Sequence, residues 1–203
     1  MRTSNTVLQR EIQKYDHLFE TNTIYNANTE HPRYDVAERF LKRCEGVQLV
    51  ADIGTGRGIF LKRLQRLGLQ VFAVEPSRII IERLKSPFIV YGTCDDLPFA
   101  SDLFDVVFCL DVLEHIPERL TDESLRELRR VTKRYTVLSV ATHEDCVDHL
   151  QLHITLKPYA EWERILSRYF TIVDAELIHS KTYPGRTAKM YFCRKDPTSG
   201  EAS

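Results

Sequence analysis

The chain has 203 residues, a length that suits one domain and leaves little for a second core. Lys plus Arg total 28 against 29 for Asp plus Glu, so the formal charge of −1 gives no bulk basic excess for a general nucleic-acid binder. Hydrophobic residues at 43% and charged residues at 28% exclude a mainly disordered chain.

No apolar run approaches the ~20 residues of a membrane span. The opening stretch MRTSNTVLQREIQKYDHLF spreads its charges and lacks the apolar block of a secretory signal. Cys44, Cys94, Cys109, Cys146 and Cys193 lie 15 to 50 residues apart, which gives neither zinc pairs nor an iron–sulfur pattern. An odd, scattered set of thiols predicts a reduced, cytoplasmic protein.

In chain order, residues 6–20 place Leu8, Ile12, Tyr15 and Phe19 at helical spacing, and residues 34–44 do so with Val36, Ala37, Phe40, Leu41 and Cys44. The polar stretch TNTIYNANTEHPR between them reads as a loop. Residues 1–45 carry seven charges of each sign, so they are no basic arm. From Val47 the runs VQLVADI, QVFAVE, FIVYGT, DVVFCLD, YTVLSVA, FTIVDAELI and AKMYFCRK read as strands. Amphipathic helices fall between them in FLKRLQRL, SRIIIERLK, LTDESLRELRRV and YAEWERILSRYF.

This alternation predicts a doubly wound α/β sandwich with a mainly parallel seven-stranded sheet and helices on both faces. The connector HSKTYPGRT is too short for a covering helix, so the last strand should run antiparallel. The expected organisation is one domain over residues 1–196, with a helical lid over 1–45, a Rossmann-like core over 46–196 and a frayed tail over 197–203.

The strongest local signal is Asp52-Ile53-Gly54-Thr55-Gly56-Arg57-Gly58, between the first strand and the first core helix. Glycines there let the backbone turn tightly and approach a ligand at the carboxyl edge of the sheet. The third step of a dinucleotide fingerprint would fall at position 59, which is Ile59. Asp52 would repel a pyrophosphate but suits a cationic ammonium or sulfonium group. The second strand ends in Glu75, 21 residues after Gly54, where a carboxylate can accept from a ribose diol. Pro76 follows, and Ser77 can cap the next helix. The third strand leads into Gly92-Thr93-Cys94-Asp95-Asp96-Leu97-Pro98-Phe99, and the fourth into Asp111-Val112-Leu113-Glu114-His115-Ile116-Pro117.

The stretches VADIGTGRG, VFAVEPS, GTCDDLPF and FDVVFCLDVLEHIP, in this order and spacing, resemble the class I S-adenosylmethionine-dependent methyltransferases. The resemblance covers about residues 48–132, and the strand pattern extends it to the C-terminus. It implies S-adenosylmethionine as cofactor and S-adenosylhomocysteine as product. It also implies that Asp52, Gly54, Thr55, Gly56 and Gly58 line the methionine end. Glu75 and Pro76 would then sit at the ribose, Thr93, Cys94 and Asp95 around the adenine, and Asp111 with Val112 beside the methyl. Relatives often carry Asp where Thr93 stands, so the adenine contact would fall to Asp95, to Thr93 or to backbone amides.

The chain has no [DN]PP[YFW] after the fourth strand and no Pro-Cys pair, which disfavours methylation of nucleobase and glutamine amines or of cytosine C5. The expected reaction is methyl transfer to a hydroxyl of a small-molecule acceptor. Candidate bases are His115, His149 and His153; the alternative for the last two is that they cap loops or bond backbone. The segment carrying them resembles a stretch of ubiquinone-pathway O-methyltransferases.

Asp111, Glu114 and His115 with His149 or His153 also resemble a divalent-metal set of that group, although Asp111 replaces its first Glu. Tyr25, His31 and Arg33, the 143–160 segment and Trp162 are candidate acceptor contacts; Lys181, Tyr183 and Arg186 could meet an anionic acceptor, the alternative for these three being a solvated surface turn. The remaining alternatives are an N- or C-methyltransferase, methylation of a macromolecule, and a cofactor-binding regulatory subunit without turnover. A monomer or homodimer with no nucleic-acid partner is expected.

Overall fold

The computed structural model describes residues 2–21, 31–180 and 185–196, with side chains from residue 7 onward. Tyr25, Lys181, Tyr183 and the expected tail over 197–203 lie outside the described residues. Two helices come first, α1 (Arg2–Thr21) and α2 (Pro32–Leu41). They are followed by β1 (Leu49–Ile53), α3 (Ile59–Arg66), β2 (Gln70–Glu75), α4 (Arg78–Leu84), β3 (Ile89–Tyr91) and β4 (Phe104–Leu110). The chain continues through α5 (Thr121–Val131), β5 (Thr132–Ala141), β6 (Cys146–Val147), β7 (Leu150–Gln151), α6 (Tyr159–Leu166), β8 (Thr171–His179) and β9 (Thr187–Arg194).

Seven strands form one sheet in the order β3-β2-β1-β4-β5-β9-β8, while β6 and β7 make a separate small hairpin. The pairings β1·β2, β1·β4, β2·β3 and β4·β5 are parallel. β9 runs antiparallel to both β5 and β8, as its short connector requires. The order reverses direction beside β1, so a crevice opens at the carboxyl ends of β1 and β4, where open α/β sheets place ligands.

The apolar runs read as continuous because both faces of the inner strands are covered. Along β4, Val106 and Phe108 join the cluster under α2 and α3, whereas Val107 and Cys109 join the one under α5 and α6. β9 alternates in the same way, with Met190 and Phe192 on one side and Tyr191 and Cys193 on the other. β8 has one sheet neighbour and leaves Val173 and Leu177 exposed. Within residues 1–45, α2 covers a sheet face with Val36, Ala37, Phe40 and Leu41, while α1 contacts His115 after β4 and Ser77 and Arg83 at α4.

Trp162 has no exposed surface and sits in the α5–α6 core with Ile165, Leu166 and Phe170. Its expected contact with an acceptor is therefore replaced by a packing role. Its indole N–H has no hydrogen-bond partner among the described residues. Trp162→Ala should cost about 3–5 kcal/mol in urea unfolding. Trp162→Phe should cost only about 1–2 kcal/mol, because the lost volume is offset by removing an unsatisfied donor.

Candidate functional site

The loop from β1 to α3 is built on left-handed backbone. Gly54, Gly56 and Gly58 have φ of 72°, 50° and 67°, a region that L side chains rarely adopt. At Gly54 space adds a second demand: a Cβ there would lie 2.5 Å from Val112 Cγ2. The loop after β4 thus packs directly on the glycine backbone. Gly54 N and Thr55 N both donate to the Val74 carbonyl, at 2.9 and 3.1 Å.

Two buried carboxylates brace this loop. Asp52 Oδ2 accepts from Thr55 Oγ1 at 2.7 Å. Glu75 Oε2 accepts from Gly56 N at 2.8 Å and Oε1 from Ser77 N at 2.9 Å. Burial raises the pKa of Asp52 to about 6 and that of Glu75 to about 7, against the lowering effect of these hydrogen bonds. Ser77 caps α4, its Oγ accepting from Ile80 N at 3.2 Å, and Pro76 stands between it and Glu75.

Beyond β3, Gly92 is required because a Cβ would meet Pro98 Cδ and Val74 Cγ1, both at 3.1 Å. Thr93 and Asp96 close a bridge, Asp96 N donating to the Thr93 carbonyl at 3.1 Å. Asp95 is partly exposed on that turn. Cys94 is buried in the core with Cys109, which leaves its backbone rather than its thiol for a ligand.

Past β4, Asp111 has a φ of 53° and is held in place from β5. Its N–H meets Ser139 O and Oγ at 3.1 and 2.9 Å, and Ser139 Oγ donates to Asp111 Oδ1 at 2.5 Å. Asp111 Oδ2 pairs with Arg33 from the first turn of α2. Burial lowers the Arg33 pKa, and with the nearby Arg33 and Arg57 it holds His31 neutral, its pKa lowered to about 4.

Glu114 is fully buried: Oε1 accepts from Ala141 N at 2.8 Å, and Oε2 has no partner among the described residues. Burial raises its pKa to about 7. Single ligand atoms of Glu114, His115 and His153 all lie within 4.8 Å of one another.

The imidazoles continue as a row, His115 to His153 at 4.7 Å between ring centroids and His153 to His143 at 5.1 Å. Each Nδ1 meets a backbone carbonyl: Leu152 O at 3.1 Å, His143 O at 2.6 Å and Thr187 O at 3.2 Å, respectively. A carbonyl only accepts, so Nδ1 of His153 and of His143 carries the hydrogen and their Nε2 keeps its lone pair, whereas His115 Nδ1 is shared between the Leu152 carbonyl and the Tyr15 hydroxyl. Burial lowers all three pKa values, that of His115 to about 3.

Helix α1 crosses above this cleft. The Tyr15 hydroxyl sits against His115 Nδ1, Lys14 Nζ donates to Gln151 O at 2.8 Å, and Ser77 Oγ donates to Asp16 Oδ1 at 2.5 Å. Among the expected residues, the structure brings together Glu114, His115 and His153, with Asp111 and Arg33 alongside. His149 is exposed at the turn of the β6–β7 hairpin, in left-handed conformation with Asp148, and stands apart from the cluster. Arg186 donates to Asp145 Oδ1 at 2.8 Å and is half-buried.

Tyr15, Ser139 and His143 were not singled out by the sequence. Tyr15 reads as one of the apolar positions of a helix, and its partner is 100 residues away. His143 had a usable signal, since it follows directly on a strand that ends at the crevice.

Order of strands, glycine loop and buried acids define the Rossmann-like class I methyltransferase fold. Residues 51–140 match the family model for a methyltransferase domain. An 88-residue stretch is 32% identical to the mitochondrial ubiquinone biosynthesis O-methyltransferase of Schizosaccharomyces pombe, covering 38% of this chain and 32% of that protein. The chain thus spans about a third of the length of the curated relatives it matches.

Among solved structures, the 1,6-didemethyltoxoflavin-N1-methyltransferase of Burkholderia thailandensis with S-adenosylhomocysteine superposes with a TM-score of 0.73 at 16% identity. That match covers 97% of this chain and 90% of the other. The magnesium protoporphyrin IX methyltransferase of Synechocystis PCC 6803 with bound SAM gives 0.69 at 17% identity, over 92% of this chain and 97% of that one. Residues 51–140 thus match a methyltransferase-domain model, and the whole chain shares the fold of methyltransferases crystallised with S-adenosylhomocysteine or S-adenosylmethionine. The site fits that group: the Gly54 cradle would be filled by a Cβ, and each Glu75 oxygen retains a lone pair beyond its one backbone hydrogen bond.

Two outcomes follow. Gly54→Ala should lose about 2–3 kcal/mol of stability together with cofactor affinity, and adding Val112→Ala should restore part of both. Calorimetry and urea titration measure these effects. A raised carboxyl pKa stabilises the fold in its neutral form, and that contribution fades as pH rises from the unfolded value of 4.5 through about 7. Relative to the parent, cofactor-free Glu75→Gln should therefore gain about 2–3 kcal/mol between roughly pH 4.5 and 7.5, read from urea midpoints across that range.

Proposed function

We propose that this protein transfers a methyl group from S-adenosylmethionine to a hydroxyl of a small-molecule acceptor. The observation that carries the reading is the Glu114–His115–His153 cluster, set beside the glycine loop at the carboxyl ends of β4 and β5. The curated relatives are O-methyltransferases by name, which supports a hydroxyl over an amine. The charge balance supports a small acceptor over a nucleic acid, and no helix among the described residues is long and apolar enough to cross a membrane.

S-adenosylmethionine supplies a methyl group already activated on sulfonium, so the protein's work is positioning, exclusion of water and proton removal. Glu75 would orient the ribose, while Asp52 and the Gly54–Gly58 backbone would surround the methionine end. Helix α1 covers the cleft through Tyr15 and Asp16. An acceptor hydroxyl held in the cleft would take the methyl group as the carbon–sulfur bond breaks with its electron pair left on sulfur, and its proton would pass to a base among Glu114, His115 and His153.

A second reading has the same cluster hold a divalent cation that polarises the acceptor hydroxyl. Two imidazoles with Nδ1 tied to carbonyls and a buried carboxylate oxygen without a partner make a mixed nitrogen and oxygen donor set. Asp111 stands outside this set, bonded to Arg33 and Ser139.

Calorimetry should show micromolar binding of S-adenosylhomocysteine that Glu75→Ala weakens at least tenfold. Absence of binding by folded protein would reject the methyltransferase reading. Metal analysis of the purified protein, with tritiated-methyl transfer to a metabolite panel before and after chelation, separates the base reading from the metal reading.

A further inference from the structure

The buried polar atoms of the cleft without a hydrogen-bond partner among the described residues include Arg33 Nε and Glu114 Oε2. One is a donor on a cation and the other an acceptor, and native interiors rarely leave either standing alone. The two residues are near enough that each shifts the ionisation of the other.

Neither orphan is accounted for by folding. Arg33 lies in the first turn of α2, where a cation opposes the helix dipole, and its ion pair with Asp111 leaves Nε–H unused among the described residues. Glu114 already secures Ala141 N through its other oxygen, and its own backbone carbonyl accepts from Ile154 N and Thr155 N at 2.8 and 3.0 Å. The free oxygen adds nothing to these contacts. Asp111 is equally committed, with Ser139 on one oxygen and Arg33 on the other.

We propose that the cleft takes a small hydroxy acid, whose carboxylate is received by the Nε–H of Arg33 and whose hydroxyl donates to Glu114 Oε2. A guanidinium gives a carboxylate charge-assisted hydrogen bonds in a planar fork, stronger than those it gives a neutral carbonyl. A phosphate dianion fits less well, because the Asp111 carboxylate adjoins the same guanidinium. The inference rests on the proposed methyl transfer and narrows it, since the hydroxyl held at Glu114 is the one that receives the methyl group.

The test uses the full chain saturated with S-adenosylhomocysteine, in EDTA, titrated with lactate, 3-hydroxybutyrate, 3-hydroxybenzoate and 4-hydroxybenzoate. The amide of each serves as its neutral match, and Kd is measured by calorimetry. The expected result is that at least one hydroxy acid binds at least tenfold tighter than its amide. Arg33→Gln should abolish that preference and Arg33→Lys should restore only part of it, each measured on protein saturated with S-adenosylhomocysteine. Equal binding of acid and amide, a preference surviving in Arg33→Gln, or no binding of any acid to protein that binds S-adenosylhomocysteine overturns the hydroxy-acid assignment alone. Failure to bind S-adenosylhomocysteine overturns the methyltransferase reading beneath it.

Discussion

The architecture of the cleft turns on one buried carboxylate. Glu75, at the end of β2, takes the Gly56 amide on one oxygen and the Ser77 amide on the other. Those two bonds tie the glycine loop of β1 to the turn that starts α4, so two crossovers of the sheet meet on a single side chain. The amides gain an acceptor that water would otherwise supply, and the carboxylate is kept in a place that burial alone would make costly to ionise. Ser77 extends the tie by capping α4 and reaching Asp16 of α1. The covering helix is thereby coupled to the same corner.

A second corner forms past β4, with a different physical basis. There the backbone is held by Ser139 of β5 and by the close approach of Val112 to Gly54. Charge is balanced locally between Arg33 and Asp111. The imidazole row that follows is electrically neutral, because burial and the neighbouring guanidinium both oppose its protonation. The two corners bracket the crevice where the strand order reverses, one dominated by buried acids and the other by neutral bases.

How legible this was in the sequence depended on range. The glycine loop, Glu75, the Ser77 cap and the antiparallel last strand follow from local chemistry and short connectors, and the structure shows each of them. Parallel strands with both faces covered leave unbroken apolar runs, so β1, β4 and β5 stood out. Contacts between distant segments were not legible. Arg33 and Asp111, or Tyr15 and His115, carry no mutual signal in the order of residues. His149 looked equivalent to His153, yet a four-residue offset places one on an exposed hairpin turn and the other beneath it. Trp162 was read as a ligand contact because aromatic residues serve both purposes, and only packing separates core from cleft.

The placement of β9 has a consequence for synthesis. β9 follows β8 in the chain yet is inserted between β5 and β8, so β8 leaves the ribosome before its one neighbour in the sheet has been made. A chain arrested before Thr187 would hold β8 with no hydrogen-bonding neighbour and β5 as a bare apolar margin. The nascent sheet is therefore sticky until β9 has been made, and closure of the domain depends on that strand.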